Sequence, residues 1–223
     1  MQGATIVFDL DGTLVDTAPD LVHATNHALA RSGLAPVPAH ALRGWVSFGA
    51  RRMIIEALAH QSATLPEADV DALLDAFIAH YEANIAVASR PYDGLEGALD
   101  TLAGAGATFT VCTNKREGLS LKLLTELGLM PRFAGLAGRD TFPVCKPDPA
   151  HVLGAIRLAG GRPEAALMVG DSATDVASAR AAGIPVVVTS FGYTEIAPAD
   201  LGADGVFDHF DDLPAMAARL LAR

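Results

Sequence analysis

IVFDLDGTLVD, residues 6–16, sets an apolar run against two acids. Ile6, Val7, Phe8 and Leu10 read as a buried strand, but Asp9 interrupts it, Asp11 follows two residues later, and Gly12 comes next. Burying carboxylates at the end of an apolar strand is costly unless a partner meets them. The stretch therefore asks which other residues the fold brings to that strand end.

Further apolar runs follow along the chain: ATFTVCT (107–113), AALMVG (165–170), IPVVVT (184–189) and GVF (205–207). Helical patterns separate them. Leu95, Ala98, Leu99 and Leu102 share one helical face; GLSLKLLTEL forms a helix stopped by Gly128; another begins at Pro149. Residues 173–182 form a helix closed by Gly183 as a left-handed cap, and Leu213, Met216, Ala217 and Leu220 mark a last one. Continuously apolar strands alternating with helices imply an α/β fold, a Rossmann-like parallel sheet core with helices on both faces.

Between the first two strands the pattern is helical only. Thr17, Pro19 and Asp20 read as an N-cap, an early proline and a first-turn acid. Leu21, Ala24, Ala28 and Leu29 follow on one face, and Val70, Leu73, Leu74, Phe77, Ile78 and Tyr81 keep helical spacing. The expected division is a catalytic core of residues 1–16 plus 88–223 and an inserted all-helical cap of residues 17–87, hinged near Asp16 and Arg90. An insertion after the first strand sits over the strand ends where open α/β sheets bind ligands.

The whole-chain numbers narrow the function. The 223 residues carry a net charge of −10 and are 51% hydrophobic. Nucleic acid and anionic membrane surfaces require basic patches, so neither is expected as a partner. Cys112 and Cys145 make neither a disulfide framework nor a zinc site. There is no signal-peptide pattern and no apolar run long enough to span a bilayer, so a cytoplasmic protein is expected, as monomer or homodimer. No GxGxxG follows a strand and no Walker loop occurs. An EF-hand is excluded because its glycine stands sixth in the loop, whereas Gly12 is fourth counting from Asp9.

In a parallel sheet the polar residues that end successive strands share one edge. Asp9 and Asp11 end the first, Thr113 and Asn114 the second, and Asp171 the fourth, with Asp175 four residues on and Lys146 between the third strand and its helix. Three carboxylates at about 4 Å repel by about 4 kcal/mol per pair at an effective dielectric near 20. They must protonate or take up a cation, and oxygen donors suit Mg²⁺ better than Zn²⁺. With Lys146 the Mg²⁺ makes an acidic site into a phosphate site, and Thr113 holds phosphoryl oxygens. The i, i+2 spacing lets Asp9 and Asp11 face one phosphoryl group. Asp175 reads equally as metal support or as a solvated helix residue. Asn114 contacts substrate or forms a turn.

DLDGTLVD, CTNK, CKPDP and VGDSATD resemble, in order, the four motifs of the haloacid dehalogenase superfamily, and the match spans the chain. The resemblance implies that Asp9 attacks phosphorus and becomes a phosphoaspartate. It implies that Asp11 protonates the leaving alcohol and then activates water, and that Thr113 and Lys146 bind the phosphoryl group. The Mg²⁺ then sits on Asp9, the Asp11 carbonyl and Asp171. An acid at Asp11 points to phosphatases and phosphomutases rather than dehalogenases. FDLDGTLVDTAPDL, TNK and ARAAGIPVVVTSFGYTE resemble the bacterial phosphoglycolate phosphatase group, which implies 2-phosphoglycolate as the small phosphorylated metabolite.

RGWVSFGARR (43–52) also resembles caps of sugar-phosphate phosphatases, including those for N-acetylmuramic acid 6-phosphate, and the core motifs leave a β-phosphoglucomutase-type reaction open. In that stretch Arg43, Arg51 and Arg52 are candidate partners for a substrate carboxylate, Arg51 above all, while Trp45 and Phe48 either line a substrate pocket or pack the cap core, core packing being the preferred reading. His23 and His27 read as a polar cap face with no third ligand in view.

Overall fold

A computed structural model describes residues 1–194 and 196–222. Six parallel strands form the central sheet in the order β5-β4-β1-β6-β7-β8: β1 Thr5–Phe8, β4 Thr108–Cys112, β5 Gly135–Ala137, β6 Ala166–Gly170, β7 Val186–Thr189 and β8 Gly205–Phe207. β1 lies between β4 and β6, with Val7 opposite Thr110 on one side and Met168 on the other. The chain moves outward from β1 on both sides, so the loops after β1, β4 and β6 meet over a topological switch point.

The apolar runs are continuous because both sheet faces are covered. Ile6 and Phe8 join an apolar cluster with helices α5 (Leu95–Gly104), α6 (Glu117–Glu126) and α9 (Leu213–Leu221). Val7 points into a second cluster with α7 (Pro149–Leu158) and α8 (Ala173–Ala182). Strand β1 ends at Phe8, before Asp9 and Asp11, at which the sequence reading ends it, so both acids stand on the following loop. The Asp9 N–H still donates to the Val169 carbonyl at 2.9 Å, which keeps it in line with the sheet.

Between β2 (Val15–Asp16) and β3 (Arg90–Pro91) lie α1 (Ala18–Arg31), α2 (Ala39–Leu42), a 3₁₀ segment Arg43–Phe48, α3 (Ala50–His60) and α4 (Glu67–Ala83). The β2–β3 ribbon is an addition to the sequence reading. Val15 pairs antiparallel with Pro91 and Asp16 with Arg90, so the exit from the first strand and the return to the sheet run side by side.

The start of α1 is held differently from the sequence expectation. The Thr17 hydroxyl makes no capping bond and is buried without a partner. The Ala18 N–H instead donates to the Tyr193 hydroxyl at 2.9 Å. Asp20 faces away from solvent and accepts from Ala88 N, Ser89 N and the Ser89 hydroxyl at 2.7–3.0 Å. It therefore ties the outgoing helix to the returning chain. Among the described residues no helix is long and apolar enough to cross a membrane.

Asp20→Ala leaves the buried Ser89 N–H and hydroxyl without acceptors. The expected loss is about 1–3 kcal/mol of stability, read as a lower urea midpoint at unchanged slope; an unaltered midpoint contradicts the role given to Asp20.

Candidate active site

Four loops build the site, the one after β5 bringing Lys146. Asp9 follows β1, Asp171 and Asp175 follow β6, and Thr113 to Lys115 follow β4. Asp9, Asp171 and Asp175 are all buried, and each offers an oxygen within 4.8 Å of the others'. Lys146 stands among them, with Nζ 2.9 Å from Asp9 Oδ1 and 2.6 Å from Asp175 Oδ1. Three carboxylates against one ammonium leave two negative charges uncompensated, the charge of one divalent cation.

The electrostatics carry that imbalance. Burial pushes the Asp9 carboxyl up to about 6 even though Lys146 opposes the shift. Burial, then the charges of Asp175 and Asp9, push Asp171 well above the usual carboxylate range. Burial disfavours the Lys146 ammonium, yet Asp175 and Asp9 outweigh it and raise its pKa. An all-oxygen, dehydrated, doubly negative cluster fits a hard divalent cation.

Backbone shape makes this crowding feasible. Gly12 has φ +83° and a Cβ there would overlap the Asp171 carboxylate; a Cβ on Gly192 or Gly170 would overlap Asp171 or Asp175. Asp171 is then fixed by Thr13 Oγ1 at 3.2 Å and Tyr193 N–H at 2.7 Å.

Asp175 is fully buried, so the solvated-helix alternative does not hold. Its Oδ2 accepts from Asp171 N, Ser172 N and the Ser172 hydroxyl, forming a capping box at the start of α8. With Oδ1 on Lys146, both oxygens are occupied, and its work is to orient that lysine and the Asp171 loop.

Lys146 is held from its backbone as well. Asn114 Nδ2 donates to the Lys146 carbonyl at 3.0 Å, while Asn114 Oδ1 is buried without a partner beside the cavity. His151 Nδ1 accepts the Lys146 N–H at 3.1 Å and its Nε2–H donates to the Gly138 carbonyl at 3.0 Å. Burial holds the His151 pKa below its ordinary value, which suits a neutral ring.

Asp11 stands apart from the three-carboxylate cluster. Its oxygens accept from Lys115 Nζ at 3.0 and 3.1 Å. Lys115 also lies 4.6 Å from the centre of the Tyr81 ring on α4, so it joins sheet and helical insert. The sequence reading gave it no role; the signal was its place directly after the Thr113-Asn114 pair.

A cavity of about 520 Å³ opens over Asp9, Asp11, Thr113 and Lys115, walled by residues 46–51 and by α4. Thr113 is buried, and its Oγ1 accepts the Lys115 N–H at 3.2 Å. Arg51 lines the cavity, but its guanidinium is engaged with Asp71 at 2.6 Å and with Glu67. Arg43 is spent on Asp16, and Arg52 on Glu56 and the Trp45 ring.

Phe48 follows the pocket-lining alternative rather than core packing: its ring lies 5.5 Å from that of Trp45 and borders the cavity. It is 60% exposed at the cavity wall, because the 3₁₀ turn ends there at Gly49, φ +87°. His23 and His27 do have a third imidazole beside them: His80 lies 3.0 Å from His23 and stacks on His27. The rings do not gather as ligands. Among the described residues the acidic cluster is the one group of three or more arranged to hold a metal.

A sequence model described as haloacid dehalogenase-like hydrolase matches residues 6–189. The chain belongs to that family. A phosphoglycolate phosphatase of Agrobacterium fabrum (strain C58) is 48% identical over 97% of this hydrolase and 94% of its own length. One from Mesorhizobium japonicum is 48% identical over 100% and 98%. The crystal structure of a predicted phosphoglycolate phosphatase from Haemophilus somnus 129PT superposes with TM-score 0.89 at 31% identity, covering 97% of this chain and 98% of that one. The hydrolase is thus a phosphatase, acting on phosphoric monoesters.

The raised carboxyls set a pH test. A carboxyl whose folded pKa exceeds its unfolded value supports the fold most below about 3.8 and loses that contribution as pH rises through about 6. Metal-free protein therefore carries the charge strain of Asp9 at pH 7, and a divalent cation relieves it there. Added Mg²⁺ should raise Tm more at pH 7 than at pH 5 in thermal unfolding; an equal rise at both contradicts the assignment.

Proposed function

We propose that the chain is a Mg²⁺-dependent phosphomonoesterase that hydrolyses 2-phosphoglycolate through a phosphoaspartate on Asp9. The observation that carries the chemistry is the Lys146 ammonium shared by Asp9 and Asp175 beside Asp171, two charges short of neutrality. The names of full-length relatives at 48% identity support the substrate. In this reading residues 17–87 act as a cap over a core of 1–16 plus 88–223, moving about the β2–β3 ribbon.

Asp9 and Asp171, with the backbone carbonyl of Asp11, would hold the Mg²⁺, which supplies Lewis-acid neutralisation of phosphoryl charge. Lys146 and the Thr113 hydroxyl bind phosphoryl oxygens. An Asp9 oxygen forms a bond to phosphorus as the ester P–O bond breaks, and Asp11 gives its proton to the departing alkoxide. Asp11 then takes a proton from water as that water attacks phosphorus, which releases inorganic phosphate and restores Asp9. Dividing the displacement in this way replaces one hard step with two easier ones. Lys146 and Asp175 keep the nucleophile oriented throughout.

Asp9→Asn should fold and release no phosphate above background; substantial turnover removes Asp9 as nucleophile. Asp11→Asn should slow hydrolysis of alkyl esters by about 10²- to 10⁴-fold, and an unchanged rate denies its acid role. Free phosphate measured with Mg²⁺ across 2-phosphoglycolate, hexose phosphates, N-acetylmuramic acid 6-phosphate and nucleotides tests the substrate. A better turnover of any other ester, or a product that retains its phosphate, overturns it.

A further inference from the structure

We propose that Lys115 is the residue that recognises the substrate's carboxylate and so sets specificity for a phosphate ester bearing a second acidic group. The inference rests on the phosphatase reading above and adds to it the contact that selects the substrate. Lys115 is only 6% exposed at its side chain, yet it lines the cavity. Its Nζ donates to both Asp11 oxygens and lies 4.6 Å from the centre of the Tyr81 ring. Its main chain is fixed on both sides: the N–H donates to Thr113 Oγ1, and the carbonyl accepts the Arg139 N–H at 2.9 Å. The ammonium is therefore positioned before any ligand arrives.

Connectivity of the ester places the second acid beside it. Asp11 must touch the ester oxygen to protonate it. In 2-phosphoglycolate that oxygen is joined to the carboxylate through a single methylene. A group that already touches Asp11 is within reach of a carboxylate so close to the ester oxygen. Of the other cations nearby, Lys146 is committed to Asp9 and Asp175 and Arg51 to Asp71 and Glu67, while Arg116 and Arg139 line the cavity as exposed side chains and Lys115 is the buried one. Among the described residues Lys115 has one carboxylate partner, Asp11, whose two oxygens take two of the ammonium's three donors, and the third is the one that bridges to the substrate. Tyr81 closes the subsite from α4, which makes recognition of the carboxylate depend on the cap's position over the sheet. A neutral alkyl phosphate of the same size leaves that buried donor unanswered, and unanswered buried donors are where hydrogen-bond mismatches discriminate most.

The test compares kcat/KM for 2-phosphoglycolate and for its amide, which keeps the size and removes the charge. Wild type should favour the acid by about 10- to 100-fold, the range for one hydrogen bond to a charged group. Lys115→Met should bring the ratio close to one, and Lys115→Arg should restore part of it. A wild-type preference that Lys115→Met retains overturns the role of Lys115 and leaves the substrate reading standing. Wild type that ignores 2-phosphoglycolate while hydrolysing another ester overturns both. Should Lys115→Met not fold, a crystal structure of Asp9→Asn with 2-phosphoglycolate decides: Lys115 Nζ within hydrogen-bond distance of the carboxylate supports the proposal, and a carboxylate turned to Arg51 or Arg116 overturns it.

Discussion

The ammonium of Lys146 between Asp9 and Asp175 is the interaction on which the rest of the molecule depends. Burying three carboxylates costs several kcal/mol each unless charge returns to the same volume, and one lysine returns only a third of it. The shortfall is tolerated because the surroundings are built for it. Tyr193 N–H and Thr13 Oγ1 fix Asp171, Ser172 and the start of α8 fix Asp175, and neutral His151 and Asn114 fix the backbone that carries Lys146. A rigid cluster with three carboxylates and one ammonium is arranged so that it could hold a divalent cation.

The same residues connect chemistry to the helical insert. Tyr193 donates its N–H to Asp171, and its hydroxyl takes the Ala18 N–H and reaches Asp16 at 2.5 Å. Asp16 lies in the β2–β3 ribbon and also holds Arg43, whose guanidinium sits 4.7 Å from the Tyr193 ring centre. The cluster, the ribbon and the first helix of the insert thus share one aromatic residue. On the cavity side, Lys115 under Tyr81 makes a second link, so the insert is coupled to the sheet edge at two places with different chemistry.

Much of this was legible in the sequence, for identifiable reasons. Strands covered on both faces must be apolar throughout, so runs such as AALMVG announced the parallel sheet. Polar residues at their ends stood out against that background, which is why Asp9, Asp171, Thr113 and Lys146 could be picked out and are found together. Where local pattern is thin, reading failed. Two-residue strands such as Arg90–Pro91 have no periodicity. Asp175 occupies an ordinary first-turn position, and only burial distinguishes its role. His151 sits on an apolar helix face, and its bond to Lys146 spans a loop whose path the sequence does not reveal. Thr17 looked like a cap, but the hydroxyl of Tyr193, distant in sequence, takes the N–H that needed one. Phe48 could be read as core or as pocket wall, because its exposure depends on the turn at Gly49.

The account's central claim is that Asp9 carries the phosphoryl group between ester and water. Mass spectrometry of protein quenched in acid during turnover of 2-phosphoglycolate with Mg²⁺ tests this most directly. One phosphoryl group on the peptide containing Asp9, absent when the metal is chelated, is the expected result. Phosphate release with no label on that peptide, or with the label on another residue, would contradict the account.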